Sequence, residues 1–172
     1  MEKDKINLLI VDDETRFLVS MTKRLENRGF HVIAVDRGEK ALEAARKAPI
    51  DIALVDLKMP GISGEETLEA LKKEHEWMEV IILTGHGSID SAVKCTQNGA
   101  YSYLQKPCEF EQLLEELVNA YRKRMMNKMD LDRVRMDAVL GMALSGSPLS
   151  ILRRLKELDR TTEKRSDPKR EE

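Results

Sequence analysis

The chain has 172 residues, a length typical of one domain with an appendage. Charged residues make up 35% of it and the formal net charge is −2, so the composition shows no bias toward nucleic acid or membrane surfaces. No apolar run is long enough to cross a bilayer, and residues 1–5 lack the apolar core of a signal peptide. These features predict a cytoplasmic protein.

The cysteines and histidines do not form a recognisable metal-binding motif. Cys95 and Cys108 lack the spacing of a metal-binding pair, and we expect both to be reduced thiols. His31, His75 and His86 are too scattered along the chain for a zinc site. His86 could be a general base or a phosphohistidine, but an ordinary loop role is the favoured interpretation.

Apolar runs alternate with amphipathic segments five times. The apolar runs predict strands at 6–11, 31–35, 51–55, 80–83 and 100–105. Apolar residues spaced three to four apart predict helices at 15–28, 38–47 and 88–97. A further helix is predicted to begin after a cap at Ser63. Strands that are apolar on both faces and alternate with helices are typical of an α/β fold with a doubly wound parallel sheet.

Turn and cap residues support these boundaries. Gly29 stops the first helix, and Asn98 with Gly99 ends the fourth. Ser63 and Glu66 have the spacing of a capping box at the start of the third helix.

The C-terminal part has a different pattern. From Glu109 onward, apolar residues at helical spacing predict a final helix, and residues 131–140 continue it directly or as a kinked successor. Residues 145–148 break that pattern, and a short helix is expected at 149–158. The charged residues 159–172 are expected to be mobile.

Polar side chains follow the predicted strands at the point where each strand ends. Asp12 and Asp13 follow the first strand, Asp56 follows the third, Thr84 ends the fourth and Lys106 follows the fifth. The carboxyl ends of parallel strands lie at one edge of a sheet, which is where such sheets bind ligands. Three carboxylates there repel one another and need a cation, and oxygen ligands of this kind suit Mg²⁺.

The same residues give the chain a family resemblance. Residues 6–124 resemble the receiver domain of two-component response regulators, and the motifs occur in the family's order and spacing. The motifs that carry the resemblance are Asp12-Asp13, Asp56 followed by Met59-Pro60-Gly61, Thr84-Gly85, Tyr103 and Lys106-Pro107. Residues 83–87 and 98–104 are similar to the receivers of nitrogen-regulation and dicarboxylate-transport regulators.

The resemblance implies a fold and a domain organisation. The fold is a flavodoxin-like receiver with a five-stranded parallel sheet in the order 2-1-3-4-5. The receiver would occupy residues 1–124, a helical extension residues 125–158, and a disordered charged tail residues 159–172.

The resemblance also implies a chemistry. Asp56 would accept a phosphoryl group from a sensor histidine kinase. Asp12, Asp13, Asp56 and the backbone carbonyl of Lys58 would hold Mg²⁺. Lys106 would contact a phosphoryl oxygen as a point charge.

A conformational switch is implied as well. The Thr84 hydroxyl would bind another phosphoryl oxygen, and the Tyr103 ring would turn inward into the space left. The face formed by the fourth helix, fifth strand and fifth helix would then change shape for a protein partner. The family also implies a cis peptide bond between Lys106 and Pro107, which costs little only before proline.

Two other classes use similar elements. A Mg²⁺-dependent aspartyl-nucleophile phosphatase of the haloacid-dehalogenase type would need Asp-x-Asp after the first strand, where this chain has Asp12-Asp13. A flavodoxin-like cofactor binder would need a Ser/Thr-rich phosphate loop there, and Asp12-Asp13-Glu14 has the wrong charge.

The output of the switch stays open. The sequence contains no convincing helix-turn-helix and no Walker-type loop, so the protein acts through a downstream protein target or is a fragment of a larger regulator. The apolar face from Phe110 to Met129 is longer than one receiver can cover. This predicts a two-fold homodimer through the extended helix, or else a tail folded back on its own receiver.

Overall fold

The computed structural model describes residues 5–143, and side chains as far as residue 137. Strands and helices alternate five times along this part of the chain. The strands are β1 (Asn7–Val11), β2 (His31–Val35), β3 (Ile52–Val55), β4 (Glu79–Thr84) and β5 (Ser102–Gln105). The helices are α1 (Thr15–Glu26), α2 (Gly38–Lys47), α3 (Gly64–Glu74), α4 (Ile89–Gln97) and α5 (Phe110–Ala143).

The five strands form one parallel sheet. Its order is β2-β1-β3-β4-β5, and every neighbouring pair is parallel. This confirms the predicted doubly wound α/β fold and its strand order. Because all strands point the same way, their carboxyl ends lie at one edge.

Both faces of the sheet are covered by helices. Leu8 and Ile10 of β1 lie in a core cluster with residues of α1 and α5, such as Leu25 and Leu113. Leu9 of β1 points to the opposite face and packs in a second cluster with residues of α2, α3 and α4. In β1, β3 and β4, successive residues alternate between two buried faces, which explains why these three central strands are largely apolar.

The helix ends follow the predicted signals with small shifts. α1 ends at Glu26 rather than at residue 28, because residues 27–29 form a turn in which Gly29 has φ +88°. That left-handed conformation suits glycine. Ser63 and Glu66 form the predicted capping box of α3. β5 begins at Ser102 rather than at residue 100, since the Ala100 amide donates to a carbonyl at the end of α4.

The first part of α5 packs against the sheet. Leu113, Leu117 and Ala120 are fully buried there. One turn later, the Arg124 guanidinium lies 3.1 Å from the Asp51 carboxylate, which precedes β3, and both side chains are largely buried. Apolar packing thus holds α5 against one face of the sheet, and the ion pair fastens it at the edge opposite the carboxyl ends.

By its internal contacts the chain divides into two units, Met1–Asn127 and Lys128–Glu172. The described part of the second unit is helical from residue 128 to 143, so the helix predicted beyond residue 124 is present. The predictions for residues 149–158 and 159–172 lie outside the described residues. No helix within residues 5–143 is long and apolar enough to cross a membrane.

Candidate functional site

The register of the sheet brings Asp12 and Asp56 together. Val11 of β1 pairs with Val55 of β3, and each aspartate follows directly after its valine. The Asp56 amide donates to the Val11 carbonyl at 2.9 Å, which extends the strand pairing to the start of the site. Residues 44 positions apart in the chain, counted as 56 minus 12, thus become neighbours at the carboxyl edge.

Asp13 completes a cluster of three carboxylates. One oxygen from each of Asp12, Asp13 and Asp56 lies within 4.8 Å of the others. Asp12 and Asp56 are buried, with 2% and 5% exposure, whereas Asp13 is exposed. Within residues 5–143 this is the one group of three acidic, His or Cys side chains close enough to share a metal ion. Hard oxygen donors, two of them shielded from water, fit Mg²⁺.

The environment of Asp12 disfavours its charge. Burial raises the pKa of the Asp12 carboxyl above its ordinary value, and the neighbouring Asp56 carboxylate adds to that effect. The Lys106 ammonium and the Glu14 amide, which donate hydrogen bonds of 2.5 and 2.9 Å, lower the pKa but do not outweigh burial. A divalent cation near these carboxylates would offset the same penalty.

Lys106 reaches the cluster from β5. Its amide donates to the Thr84 carbonyl at 2.8 Å, and the peptide bond to Pro107 is cis, as expected. Its ammonium lies 2.5 Å from Asp12 Oδ2 and 4.0 Å from the centroid of the Phe17 ring. Lys106 therefore lies at the predicted site, and its partner there is Asp12.

Thr84 and Tyr103 lie on neighbouring strands but bond to different groups. The Thr84 side chain is buried, and its hydroxyl oxygen accepts a hydrogen bond from the His86 amide at 3.1 Å. The Tyr103 hydroxyl lies 2.9 Å from the Ser91 hydroxyl in the first turn of α4. Among the described residues no hydrogen bond joins Thr84 to Tyr103.

Ser91 also belongs to the cap of α4. Its hydroxyl accepts from the Ser88 amide at 2.9 Å and lies 2.9 Å from the Ser88 carbonyl oxygen, to which it donates. Tyr103 is then the donor in its own bond to Ser91, because Ser91 has one proton to give. Tyr103 thus connects β5 to the capping network at the start of α4.

The loop after Asp56 is held closely to the sheet. The Leu57 amide donates to Asp56 Oδ1 at 2.8 Å and so orients the carboxylate. The Gly64 amide donates to the Leu57 carbonyl at 2.8 Å. A Cβ atom at Gly64 would lie 2.6 Å from Leu57 Cα and would overlap the Asp56 carbonyl oxygen. Glycine is therefore needed where α3 begins. The exposed Lys58 lies in the same loop, directly after Leu57.

Three residues at the site were not singled out from the sequence. Phe17 fits the apolar spacing that predicts α1, and nothing in that spacing connects it to Lys106. Ser91 lies three residues after Ser88, which is the spacing of a helix cap, but nothing in the sequence connects it to Tyr103. Gly64 follows Ser63 in the cap, and its close contact is with the backbone of Asp56 and Leu57, which follow β3. Cys95 and Cys108 are free thiols, as predicted.

Comparison with known proteins agrees with this geometry. Residues 8–118 match the family model described as response regulator receiver domain. The acid tolerance regulatory protein ActR of Rhizobium meliloti (strain 1021) is 34% identical over 136 residues, which cover 77% of this chain and 70% of ActR. The DNA-binding transcriptional regulator NtrC of Escherichia coli (strain K12) is 31% identical over 118 residues, 67% of this chain and 25% of NtrC.

A solved structure shows the same architecture. The solution structure of the beryllofluoride-activated NtrC4 receiver domain dimer superposes with a TM-score of 0.66 at 30% identity, covering 72% of this chain and 99% of the NtrC4 chain. The family match covers more than half of the chain, and the strand order and strand-end residues agree with it. The chain therefore belongs to the receiver domains of two-component response regulators.

Proposed function

We propose that this protein is a phosphorylation-dependent signalling switch in which Asp56 accepts a phosphoryl group from a sensor histidine kinase. One observation carries the proposal. The carboxylates of Asp12, Asp13 and Asp56 converge within 4.8 Å at the carboxyl edge, with the Lys106 ammonium 2.5 Å from Asp12. A nucleophile, a set of metal ligands and a fixed positive charge thus lie in one place.

The transfer uses the Asp56 carboxylate as the nucleophile. An Asp56 oxygen attacks phosphorus, the bond from phosphorus to the kinase histidine nitrogen breaks, and the nitrogen keeps that electron pair. The product on Asp56 is a mixed anhydride. Little covalent chemistry is asked of the other residues, whose work is orientation and charge stabilisation. The Leu57 amide, which donates to Asp56 Oδ1, supports this orientation.

Asp12, Asp13, Asp56 and the Lys58 backbone carbonyl are the proposed ligands of a Mg²⁺ ion. When bound, Mg²⁺ would neutralise negative charge on the phosphoryl oxygens. The burial of Asp12 and Asp56 supports this assignment, because a divalent cation between two neighbouring buried carboxylates would offset their mutual repulsion. Lys106 would contact a phosphoryl oxygen as a point charge, and the Thr84 hydroxyl would donate to another.

The conformational response would pass through Tyr103. If the Thr84 hydroxyl turns toward a phosphoryl group, space opens beside it for the Tyr103 ring. Tyr103 would then leave Ser91, and the cap of α4 would lose that bond. The outer face of α4 exposes Ile89 by 84% and Val93 by 51%. We propose that the face made by α4, β5 and α5 contacts the downstream protein target.

A phosphatase acting on small phosphate esters is not supported by the comparisons, since the relatives are response regulators. We propose that the protein promotes its own phosphotransfer and dephosphorylation without multiple turnover on small substrates. Hydrolysis of p-nitrophenyl phosphate by the parent protein should not exceed that by Asp56→Asn, and sustained turnover that depends on Asp56 would contradict this.

The phosphoacceptor is tested with acetyl phosphate as a small donor. The parent protein and Asp90→Asn, which changes an exposed aspartate on α4, should acquire a base-labile label that requires Mg²⁺. Asp56→Asn should not, because an amide is a poor nucleophile. Circular dichroism checks that Asp56→Asn is folded. Label on Asp56→Asn at the parental level would refute the assignment.

We further propose a receiver at residues 1–124, a helical extension at 125–158 with a charged tail after it, and a homodimer through the extended helix. In the second unit, Met129, Val134 and Met136 are exposed by 61–66%, and large apolar side chains on a helix favour a partner. The NtrC4 receiver is described as a dimer. Truncation after Arg124 should convert a sedimenting dimer to a monomer, and a full-length monomer at tens of micromolar would exclude the dimer.

A further inference from the structure

We propose that Phe17 is a positioning residue whose ring holds the Lys106 ammonium at the phosphoryl site. The inference deepens the proposed function and rests on it, since Lys106 matters only if a phosphoryl group binds beside it. In this role Phe17 contacts neither the proposed Mg²⁺ ion nor the phosphoryl group. It acts through Lys106.

The Lys106 ammonium lies between two groups of different kinds. Asp12 Oδ2 is 2.5 Å away, and the centroid of the Phe17 ring is 4.0 Å away. The side chain of Lys106 is 18% exposed, so most of its surface is withdrawn from water. An ammonium this close to a ring face is attracted by the negative face of the ring, more strongly where water is excluded. The carboxylate and the ring therefore define one position for a flexible side chain.

The ring is itself held in place. Phe17 is in the first turn of α1 and is half-buried against the core cluster that α1 shares with α5. Farther along α1, the Arg24 guanidinium lies 4.0 Å from the Phe110 ring centroid at the start of α5. Arg28 forms an ion pair with Glu111 one residue later. These contacts keep α1 aligned with the segment that carries Lys106.

Fixing Lys106 has opposite consequences for two ligands. Asp12 is also a proposed metal ligand, so an ammonium held beside it repels a divalent cation and competes for its oxygen. A phosphoryl group brings negative charge, which a fixed ammonium attracts without having to be ordered first. Phe17 should therefore weaken or leave unchanged the binding of Mg²⁺ alone, and strengthen the binding of a phosphoryl-like anion.

The test compares Phe17→Leu, which keeps an apolar side chain in the core but removes the ring, with Phe17→Tyr, which keeps the ring. Mg²⁺ affinity is measured alone by NMR titration, and beryllofluoride affinity is then measured at saturating Mg²⁺. Phe17→Leu should raise the dissociation constant for beryllofluoride about two- to five-fold, as expected for loss of a cation–π contact. Its dissociation constant for Mg²⁺ should fall or stay unchanged, and Phe17→Tyr should match the parent in both.

Two further readouts separate positioning from damage to the fold. The ring current of Phe17 should shift the Lys106 ε-methylene protons upfield in the ligand-free parent and in Phe17→Tyr, but not in Phe17→Leu. In a Lys106→Met background, Phe17→Leu should leave beryllofluoride affinity unchanged. Equal weakening of both ligands, or no change in either, would overturn the inference. A parent that binds neither Mg²⁺ nor beryllofluoride would refute the proposed function, and the inference with it.

Discussion

The contact between Tyr103 and the loop before α4 leads to a prediction about two glycines. Neither Gly85 nor Gly87 has a positive φ, so the backbone accepts alanine at both positions. A Cβ atom at Gly85 would meet nothing closer than Lys106 Cβ at 3.9 Å. A Cβ atom at Gly87 would overlap the Tyr103 hydroxyl and lie 3.2 Å from two ring carbons. Gly85→Ala is therefore a matched control for Gly87→Ala.

The expected difference in stability between the two variants follows from one hydrogen bond. The far end of Tyr103 can rotate away, so Gly87→Ala should displace the ring and break its bond to Ser91 without unfolding the protein. A neutral hydrogen bond of this kind contributes about 1 kcal/mol. Replacing glycine by alanine at a compatible position stabilises by roughly 0.4–1 kcal/mol through the unfolded chain, and both variants share that gain. Gly87→Ala should thus be about 1 kcal/mol less stable than Gly85→Ala.

Urea unfolding measures the difference in stability, and NMR measures the position of the ring. Nuclear Overhauser contacts between the Tyr103 ring and Ser91 should persist in Gly85→Ala and be lost in Gly87→Ala. In a Tyr103→Phe background the stability difference between the two alanine variants should shrink, since the hydroxyl that overlaps is gone. If Gly87→Ala keeps the contacts and equals Gly85→Ala in stability, this account of the Tyr103 position is wrong.

Two further predictions concern the aspartates. Gly64→Ala should lower the free energy of unfolding by about 3 kcal/mol, because its methyl group meets the backbone of Asp56 and Leu57, which cannot rotate away. Urea unfolding measures this loss, and a value under about 1 kcal/mol would contradict the prediction. Burial raises the pKa of Asp12 above its ordinary 3.8. At a pH between 3.8 and the raised pKa, the folded metal-free protein therefore keeps a proton on Asp12 that the unfolded chain has released. Stability measured without Mg²⁺ should therefore fall as the pH rises from 3.8 through the raised pKa, and Asp12→Asn should lack that component of the fall.

The fold was predictable because its causes are local and repeated. Leu8 and Leu9 are both apolar since each faces a different helical layer, and every strand of the interior shows the same property. The cap at Ser63 and the turn at Gly29 act within a few residues of the chain. The strand-end aspartates were predictable for the same reason, because a parallel sheet places all carboxyl ends together.

The partners of these side chains were less predictable. Asp12 and Lys106 are 94 residues apart, and their ion pair depends on the positions of β1 and β5 rather than on any spacing in the chain. The Phe17 ring looks like any apolar residue of α1 until the fold places Lys106 over it. Tyr103 was expected to turn inward, but its bond to Ser91 requires the cap of α4 in three dimensions. Motifs predict which residues meet at an edge, whereas packing decides which pairs form.

The most direct test of the central claim is chemical trapping of the phosphorylated residue. Protein treated with acetyl phosphate and Mg²⁺ is reduced with borohydride, which converts a phosphorylated aspartate to homoserine, and the peptides are mapped by mass spectrometry. Homoserine should appear at position 56 only, and omission of Mg²⁺ should abolish it. Homoserine at Asp12 or Asp13 would contradict the assignment of Asp56 as the phosphoacceptor. So would phosphorylated protein that yields no homoserine at position 56.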